Sequence, residues 1–405
     1  MGIRLDWEIE SERERMQEVG EDPEAARRRR RALRRIILFT AFLIMIGACV
    51  VGLVLLRLQQ VDEIFRQNLL DTVENEVAAL RVGDRTAYSS IQRSDSEAWM
   101  QSQQTLYDDY QTLKQQPNLI LSGHALDVEI DGPRGRVLVE EILNGVQYAR
   151  VWFYWRFDDG WRHVPPDYTF WGDQRLLESD QMAIRYWAVD EPFAQALAST
   201  LPAWLNAGCA ALICADLPQL VVDIQPDESV ETGWLADEPW HLRLASPFLR
   251  PVRMDQIWQP ESRLAVAELL AKQLVSTAAN GVEPVYPADA YYLRQVIASW
   301  LTKRFSGVEI NTYSLDSFAT RYGDAAVGRL LAALTPDANV AVMAEAAGVA
   351  SVADLEIDWR DMLTWRLTLE QELIAARDDA HFLALYDLTD PAVSDAALAR
   401  FVSVS

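Results

Sequence analysis

Histidine and cysteine are scarce in this chain of 405 residues, which contains four histidines and three cysteines. The histidines, at positions 124, 163, 241 and 381, show no spacing typical of metal ligands. The sequence also lacks a Gly-x-Ser-x-Gly pattern and a phosphate-binding glycine loop. It therefore predicts no catalytic residue, no metal site and no cofactor.

Basic residues are outnumbered, since 37 Lys and Arg face 60 Asp and Glu, which gives a net charge of −23. The first 35 residues carry +1 and residues 36–56 carry no charge, so residues 57–405 carry −24. A nucleic-acid-binding protein needs a basic surface that neutralises phosphates. The acidic balance therefore argues against a nucleic-acid partner.

The sequence does contain one long uncharged run, the 21 residues from Ile36 to Leu56. As a helix this run is roughly 31 Å long, which matches a hydrocarbon core of about 30 Å. Fourteen of its residues are Leu, Ile, Phe or Val, so that insertion into a bilayer gains on the order of 6 kcal/mol. A cleaved signal peptide has a shorter apolar region, of about 7 to 15 residues. The run therefore predicts a retained transmembrane helix over residues 36–57.

The orientation of this helix follows from its flanks, because cytoplasmic flanks carry an excess of Lys and Arg. Only Arg57 follows the run closely, whereas seven arginines precede it: Arg27, Arg28, Arg29, Arg30, Arg31, Arg34 and Arg35. We therefore expect a single-pass protein of a bacterial cytoplasmic membrane. Residues 1–35 would be its cytoplasmic tail, and everything after the helix would lie outside the cytoplasm.

Cys49 leaves a second interpretation open. The sequence IGAC around it resembles the bacterial lipobox, in which a lipid is attached to the cysteine after cleavage. Alternatively, Cys49 is a small apolar residue within the membrane helix.

Two helical patterns and several strand patterns follow the transmembrane run. Helical spacing continues over residues 61–82, and Ser94 or Ser96 is a plausible cap of a second helix. Period-two alternation then begins, in HALDVEID and in YARVWFYWRFDDGWRHV, where Asp158-Asp159-Gly160 predicts a hairpin turn. In the second segment the inward-facing set is predicted to be Ala149, Val151, Phe153, Trp155 and Phe157.

Residues 60–170, with GDRTAYSS after the first helix and DDGWRHV near the end, resemble the cone-shaped α+β fold of the nuclear-transport-factor-like superfamily. The resemblance implies a domain over residues 58–172 with a cavity between helix and curved sheet. Candidate residues for that pocket are the aromatic side chains Trp99, Tyr107, Phe153 and Trp155. The fold alone implies no activity, and the predicted inward set contains no histidine or carboxylate, so we expect a packed core there and not a catalytic pocket.

The prolines of PPDYTFWGDQ mark a domain boundary. Strands are then predicted at QMAIRYWAV, QLVVDIQP and HLRLASP, with a helix over residues 190–205 and an entirely helical remainder. Residues 318–363, with their Tyr-Gly, Leu-Leu, Ala-Gly and Glu-x-x-Trp patterns, resemble the helical end of gluzincin-type zinc metallopeptidases of the MA clan. We therefore expect a peptidase-like domain over residues 173–375, mixed α/β at first and then helical.

This second resemblance implies a helix with His-Glu-x-x-His, whose two histidines bind zinc while the glutamate activates water. The equivalent helix here is YYLRQVIASWLTKRF, with an ordinary apolar stripe of Leu293, Val296, Ile297, Trp300 and Leu301. No histidine occurs between His241 and His381, and Lys303 stands where the family places a further acidic ligand. The departure indicates a scaffold without the zinc site.

Two smaller features remain in the second half of the chain. Cys209 and Cys214 lie five residues apart, which on a continuous helix is too far for a disulfide, so we favour two buried apolar residues unless a loop brings them together. A partial repeat of the first domain is one interpretation of residues 376–405, where Asp378, Phe382 and Leu385 match Asp84, Tyr88 and Ile91 at a constant offset. Coincidence explains this short match equally well.

These patterns favour a membrane-anchored, extracytoplasmic binding or scaffolding protein without catalytic activity. A second hypothesis is a transmembrane regulator, in which outer binding is relayed to a cytosolic partner of the charged segment WEIESERERMQEVGEDPEAA. A third is a hydrolase with unfamiliar ligands. The identity of the ligand and the oligomeric state do not follow from the sequence.

Overall fold

The computed structural model describes residues 23–115, 119–214, 217–279, 281–386 and 389–404. The chain divides into two compact units, Met1–Asp71 and Thr72–Ser405. Helices account for 58% of the structure and strands for 18%, so its class is mixed α+β, in agreement with the sequence patterns.

Helix α1 (Pro23–Val82) forms the described part of the first unit and continues into the second. It contains the uncharged run, and no part of its most apolar 18-residue window is buried. The side chains of Arg27, Arg28, Arg29, Arg34 and Arg35 are exposed. Residues 1–22, with most of the proposed relay segment, and the side chains of Arg30 and Arg31 lie outside the described residues.

The second unit begins inside α1, where Val73, Val77 and Leu80 are buried. The helix ends before Gly83, which has a φ of 82° that glycine adopts without strain. Two helices follow, α2 (Arg85–Ile91) and α3 (Glu97–Leu113). Ser96 caps α3 by accepting a hydrogen bond from the Trp99 amide, which confirms one of the two predicted caps.

An antiparallel sheet that curls into a half barrel lies next in the chain. Its first five strands are β1 (Leu119–Ile120), β2 (Ala125–Asp131), β3 (Arg134–Leu143), β4 (Val146–Phe157) and β5 (Gly160–Val164). Phe157 pairs with Gly160 across the end of β4 and β5, so Asp158 and Asp159 form the turn. The predicted hairpin is confirmed.

A second sheet has the order β6-β7-β8-β10-β9, with β7, β8 and β10 parallel and antiparallel strands at both edges. The strands are β6 (Gln174–Glu178), β7 (Met182–Trp187), β8 (Leu220–Gln225), β9 (Gly233–Leu235) and β10 (Glu238–Ala245). Helix α4 (Glu191–Leu212) connects β7 to β8. The three parallel strands are those that the sequence predicts, whereas the two edge strands are additional.

A short strand from this later part of the chain completes the first sheet. Strand β11 (Val252–Arg253) pairs with Ala149 and Tyr148 of β4, and Phe248 and Val252 join Phe153 in a separate core cluster. The first sheet is therefore covered on the face away from α1, and it depends on residues beyond the predicted boundary at 172.

The described remainder is helical, as the sequence predicts. It consists of α5 (Pro260–Ala278), α6 (Asp289–Ser306), α7 (Tyr313–Tyr322), α8 (Asp324–Ala333), α9 (Ala341–Ala347), α10 (Arg360–Ala376), α11 (Asp379–Ala384) and α12 (Pro391–Val404). The apolar stripe predicted on α6 is buried along its whole length. It belongs to the same core as α4 and the second sheet.

The proposed repeat has a local structural counterpart. Asp84 and Asp378 each cap a short helix by accepting a hydrogen bond from the backbone amide three residues on. Each follows a residue with positive φ, at Gly83 and Arg377. The matched apolar residues Tyr88, Ile91, Phe382 and Leu385 are also all buried. A true repeat stays a prediction.

Candidate functional site

A carboxylate that is fully removed from solvent lies between α1 and the first sheet. Glu76 of α1 is 0% exposed. Its Oε1 accepts a hydrogen bond of 2.7 Å from Gln92 Nε2 and lies 2.7 Å from His163 Nδ1, and its Oε2 accepts one of 2.8 Å from the Tyr154 hydroxyl. A buried carboxylate requires such donors.

Aromatic rings enclose the imidazole of His163. The centroids of Trp152, Tyr154 and Trp99 lie 5.2, 5.1 and 5.7 Å from it. Burial, followed by the nearby charge of Glu76, raises the pKa of Tyr154 well above its usual value. Tyr154 therefore stays protonated and remains a donor to Glu76.

The prediction of which face of β4 points toward the helices is wrong. Trp152 and Tyr154 face Glu76 and His163, whereas Phe153 packs on the opposite side against Trp171, with 5.9 Å between ring centroids. Both faces of β4 are covered, so the alternation of apolar residues did not show which face meets the helices. The expectation that the helix-facing interior lacks histidine and carboxylate is overturned by His163 and Glu76.

A cavity of about 90 Å³ lies beside His163. Two of the four predicted pocket residues, Trp99 and Phe153, line it. Of the other two, Tyr107 is buried with its ring 5.4 Å from that of Tyr88, and Trp155 is 39% exposed on the surface. The structure thus brings Trp99 and Phe153 to one cavity and places Tyr107 and Trp155 elsewhere.

A larger groove, of about 670 Å³, lies between α5 and α6. This volume falls within the range of about 300 to 1,000 Å³ that is typical of small-molecule sites. The principal lining residues are Trp234, Glu268, Lys272, Gln273, Ser276, Glu283, Tyr291, Arg294, Gln295, Ser299 and Thr302. The groove therefore combines two aromatic rings with amides, hydroxyls and two charges of each sign.

Several polar groups of the groove are available to a ligand. Arg294 is held in place because its Nη2 donates to Glu283 at 2.9 Å. By contrast, Lys272, Gln273, Gln295 and Ser299 make no side-chain hydrogen bond within the described residues. Neither α5 nor α6 supplies a histidine here.

Lys303, which stands where the metallopeptidase resemblance would place an acidic ligand, has a structural role. Lys303 Nζ lies 2.9 Å from Glu309 and 3.1 Å from Asp316, so it bridges α6 to the start of α7. Within the described residues no group of three or more His, Cys, Asp or Glu side chains is arranged to hold a metal ion. His241 contacts two carboxylates, Asp223 and Glu238, each at 2.7 Å.

Cys209 and Cys214, at the end of α4, are paired. Helix α4 ends at Leu212, and Ile213 adopts a φ of 57°. This turn brings the Cα atoms of Cys209 and Cys214 to 4.8 Å, and the residues form a disulfide. The preference for two separate apolar residues was wrong, because the helix stops between them.

A second buried carboxylate, Asp190, joins the two sheets. It precedes α4, is 0% exposed, and accepts hydrogen bonds from Trp171 Nε1 at 2.9 Å and from Ser246 Oγ at 2.5 Å. Burial raises its pKa from 3.8 to about 7, although Ser246, Trp171 and Arg136 each act to lower it.

The Asp190→Asn variant should reveal this shift as a pH dependence of stability. The native state binds more protons at Asp190 than the unfolded state does between the two pKa values, 3.8 and about 7. The contribution of Asp190 to stability is therefore full at acidic pH and is lost as the pH rises through that window, with a slope approaching about 1.4 kcal/mol per pH unit. Chemical denaturation of both proteins between pH 4 and 8 tests this, and parallel stability curves would rule it out.

Comparisons of the chain with known protein families, curated proteins and solved structures find no match. Both family resemblances therefore stay predictions, and any function has to be inferred from the groove, the buried clusters and the apolar helix.

Proposed function

We propose that this chain is a single-pass membrane protein whose folded region lies outside the cytoplasm and binds a ligand in the α5–α6 groove without catalysing a reaction. The observation that carries the proposal is the uncharged run of α1. Its large side chains are open to solvent, as in Leu38 at 69%, Ile44 at 67% and Leu53 at 67% exposed.

Water is an unfavourable environment for such a surface. Apolar burial contributes about 25 cal/mol per Å², and contiguous exposed apolar patches mark a membrane or a protein contact. The length and lack of charge of the run suit a bilayer, and the arginines before it favour a cytoplasmic amino terminus. The acidic region after it would then lie outside.

Binding in the groove is supported by its size and by its unpaired polar groups. Lys272, Gln273, Gln295 and Ser299 offer donors and acceptors that no described side chain uses. Tyr291 and Trp234 add apolar surface. Small-molecule sites commonly combine such surfaces with a few polar groups that fix orientation.

A large side chain introduced into the groove should prevent the protein from binding a small molecule there. We expect native mass spectrometry of the full-length protein, extracted gently from its own membrane, to show a bound small molecule. The Ser299→Trp variant should lose it, because the indole occupies the groove. The control is Ser199→Trp, which changes an exposed serine of α4. Retention of the same molecule by Ser299→Trp, or a wild-type protein that carries none, would count against the groove as the site.

A further inference from the structure

The small cavity beside His163 contains three polar side chains that are more than nine-tenths buried. Trp152 is 6%, His163 7% and Gln103 8% exposed, and all three line the cavity. Polar groups at such depth normally have hydrogen-bond partners. Each of these three side chains nevertheless has a polar atom that makes no hydrogen bond within the described residues.

The unused groups are mainly donors. Trp152 Nε1 has no hydrogen-bond partner within the described residues. Gln103 Oε1 accepts a hydrogen bond of 3.1 Å from the Tyr88 hydroxyl. This bond orients the amide, and the NH₂ group has no partner within the described residues. Glu76 occupies Nδ1 of His163, and Nε2 has no partner within the described residues.

The charges around the cavity favour an acceptor ligand. Arg150 lines it and supplies a positive charge. The carboxylate oxygens of Glu76 already have three hydrogen-bond partners, and Glu228, the acidic residue that lines the cavity, is exposed. An ion with two acceptor oxygens would satisfy the indole and amide donors together, and hydrogen bonds to a charged acceptor are the stronger kind.

The cavity is large enough for a small ligand. A site of about 10 to 15 Å³ already holds one water molecule, so the cavity of about 90 Å³ has room for several non-hydrogen atoms. Trp99 and Leu106, on the same helix as Gln103, provide an apolar wall against which a methyl group fits. We propose that this cavity binds a small carboxylate ion of the size of formate or acetate. The site is separate from the α5–α6 groove and does not depend on a ligand there.

Fluorine NMR of the full-length chain, labelled with 5-fluorotryptophan and held in lipid nanodiscs, tests the proposal with sodium acetate as the probe. The chain has 14 tryptophans, and the Trp152 signal is identified as the one that is missing from the spectrum of Trp152→Phe. We expect this signal to shift as acetate is added and the shift to saturate. A ligand of four non-hydrogen atoms should bind with a Kd on the order of 1 to 10 mM. Sodium chloride at equal ionic strength should not reproduce the shift.

Gln103→Glu is the decisive variant. It keeps an acceptor for Tyr88 but replaces the amide donors with a carboxylate, so acetate should bind at least about tenfold more weakly. Trp155→Phe is the matched control, since it removes an exposed tryptophan three residues from Trp152 and should leave the titration unchanged.

A second measurement observes the ligand instead of the protein, and it uses variants other than Gln103→Glu in case that variant folds poorly. Relaxation of the acetate methyl signal should be enhanced by the wild-type chain and by Trp155→Phe, and less by Trp152→Phe. The proposal is overturned if no saturable shift occurs up to roughly 100 mM acetate, well above the expected Kd, if chloride gives an equal shift, or if Gln103→Glu binds acetate as the wild type does. In those cases the cavity contains only water.

Discussion

Replacing Glu76 with alanine is expected to lower the free energy of unfolding by about 3 to 5 kcal/mol. The substitution removes the shared acceptor of Gln92, Tyr154 and His163, so buried donors lose their partner where water does not reach. Urea denaturation of the full-length protein in detergent, followed by tryptophan fluorescence, measures the change.

The matched control is Glu74→Ala, on the same helix two residues earlier but exposed. This change should stay within about 0.5 kcal/mol of the wild type. Glu76→Gln should have an intermediate effect, because an amide keeps one acceptor oxygen but presents its NH₂ to another donor. If Glu76→Ala were as mild as Glu74→Ala, the buried cluster would not stabilise the fold.

The double variant Ile46→Arg, Val50→Arg is expected to abolish stable membrane retention. Each arginine at the centre of the run costs about 2.5 to 3.5 kcal/mol and removes a residue that contributes about 0.3 to 0.6. The sum is close to the whole insertion gain, on the order of 6 kcal/mol. Carbonate extraction of membranes, with immunoblotting of pellet and supernatant, provides the measurement.

The control for this experiment is the double variant Ile46→Ala, Val50→Ala, which keeps the run uncharged. It should remain in the carbonate-resistant pellet. If the arginine variant stayed in the pellet to the same extent as the alanine variant, the run would not be what anchors the chain.

Much of the secondary structure follows from periodicity. The hairpin at Asp158–Asp159, the parallel strands β7, β8 and β10, and the buried stripe of α6 all have patterns that local geometry explains. These patterns are local, so a single sequence contains enough information to predict them.

What the sequence did not predict depends on contacts between distant segments. Strand β11 joins the edge of β4 from much later in the chain. The same segment brings Phe248 and Val252 onto the face of β4 that we had assigned to the helix side. A strand that is apolar on both faces has no alternation that distinguishes them. The Cys209–Cys214 pair depended instead on a local feature, the residue at which α4 ends.

One signal of the buried cluster was nevertheless present in the sequence. Glu76 lies on the apolar stripe of α1, next to Val77 and three residues after Val73, where a carboxylate is costly unless it has partners. Its partner His163 is 87 positions away. The stripe therefore indicated that Glu76 has a buried role, but only the fold identified the donors.

We propose that the apolar run spans a membrane and delivers residues 57–405 to the outer side. Protease accessibility in intact spheroplasts tests it most directly, with an epitope at the carboxyl terminus and a cytosolic protein as the lysis control. Added protease is expected to remove the epitope while the cytosolic control survives. Protection of the epitope until the membrane is disrupted, or recovery of the full-length chain in the soluble fraction, would contradict it.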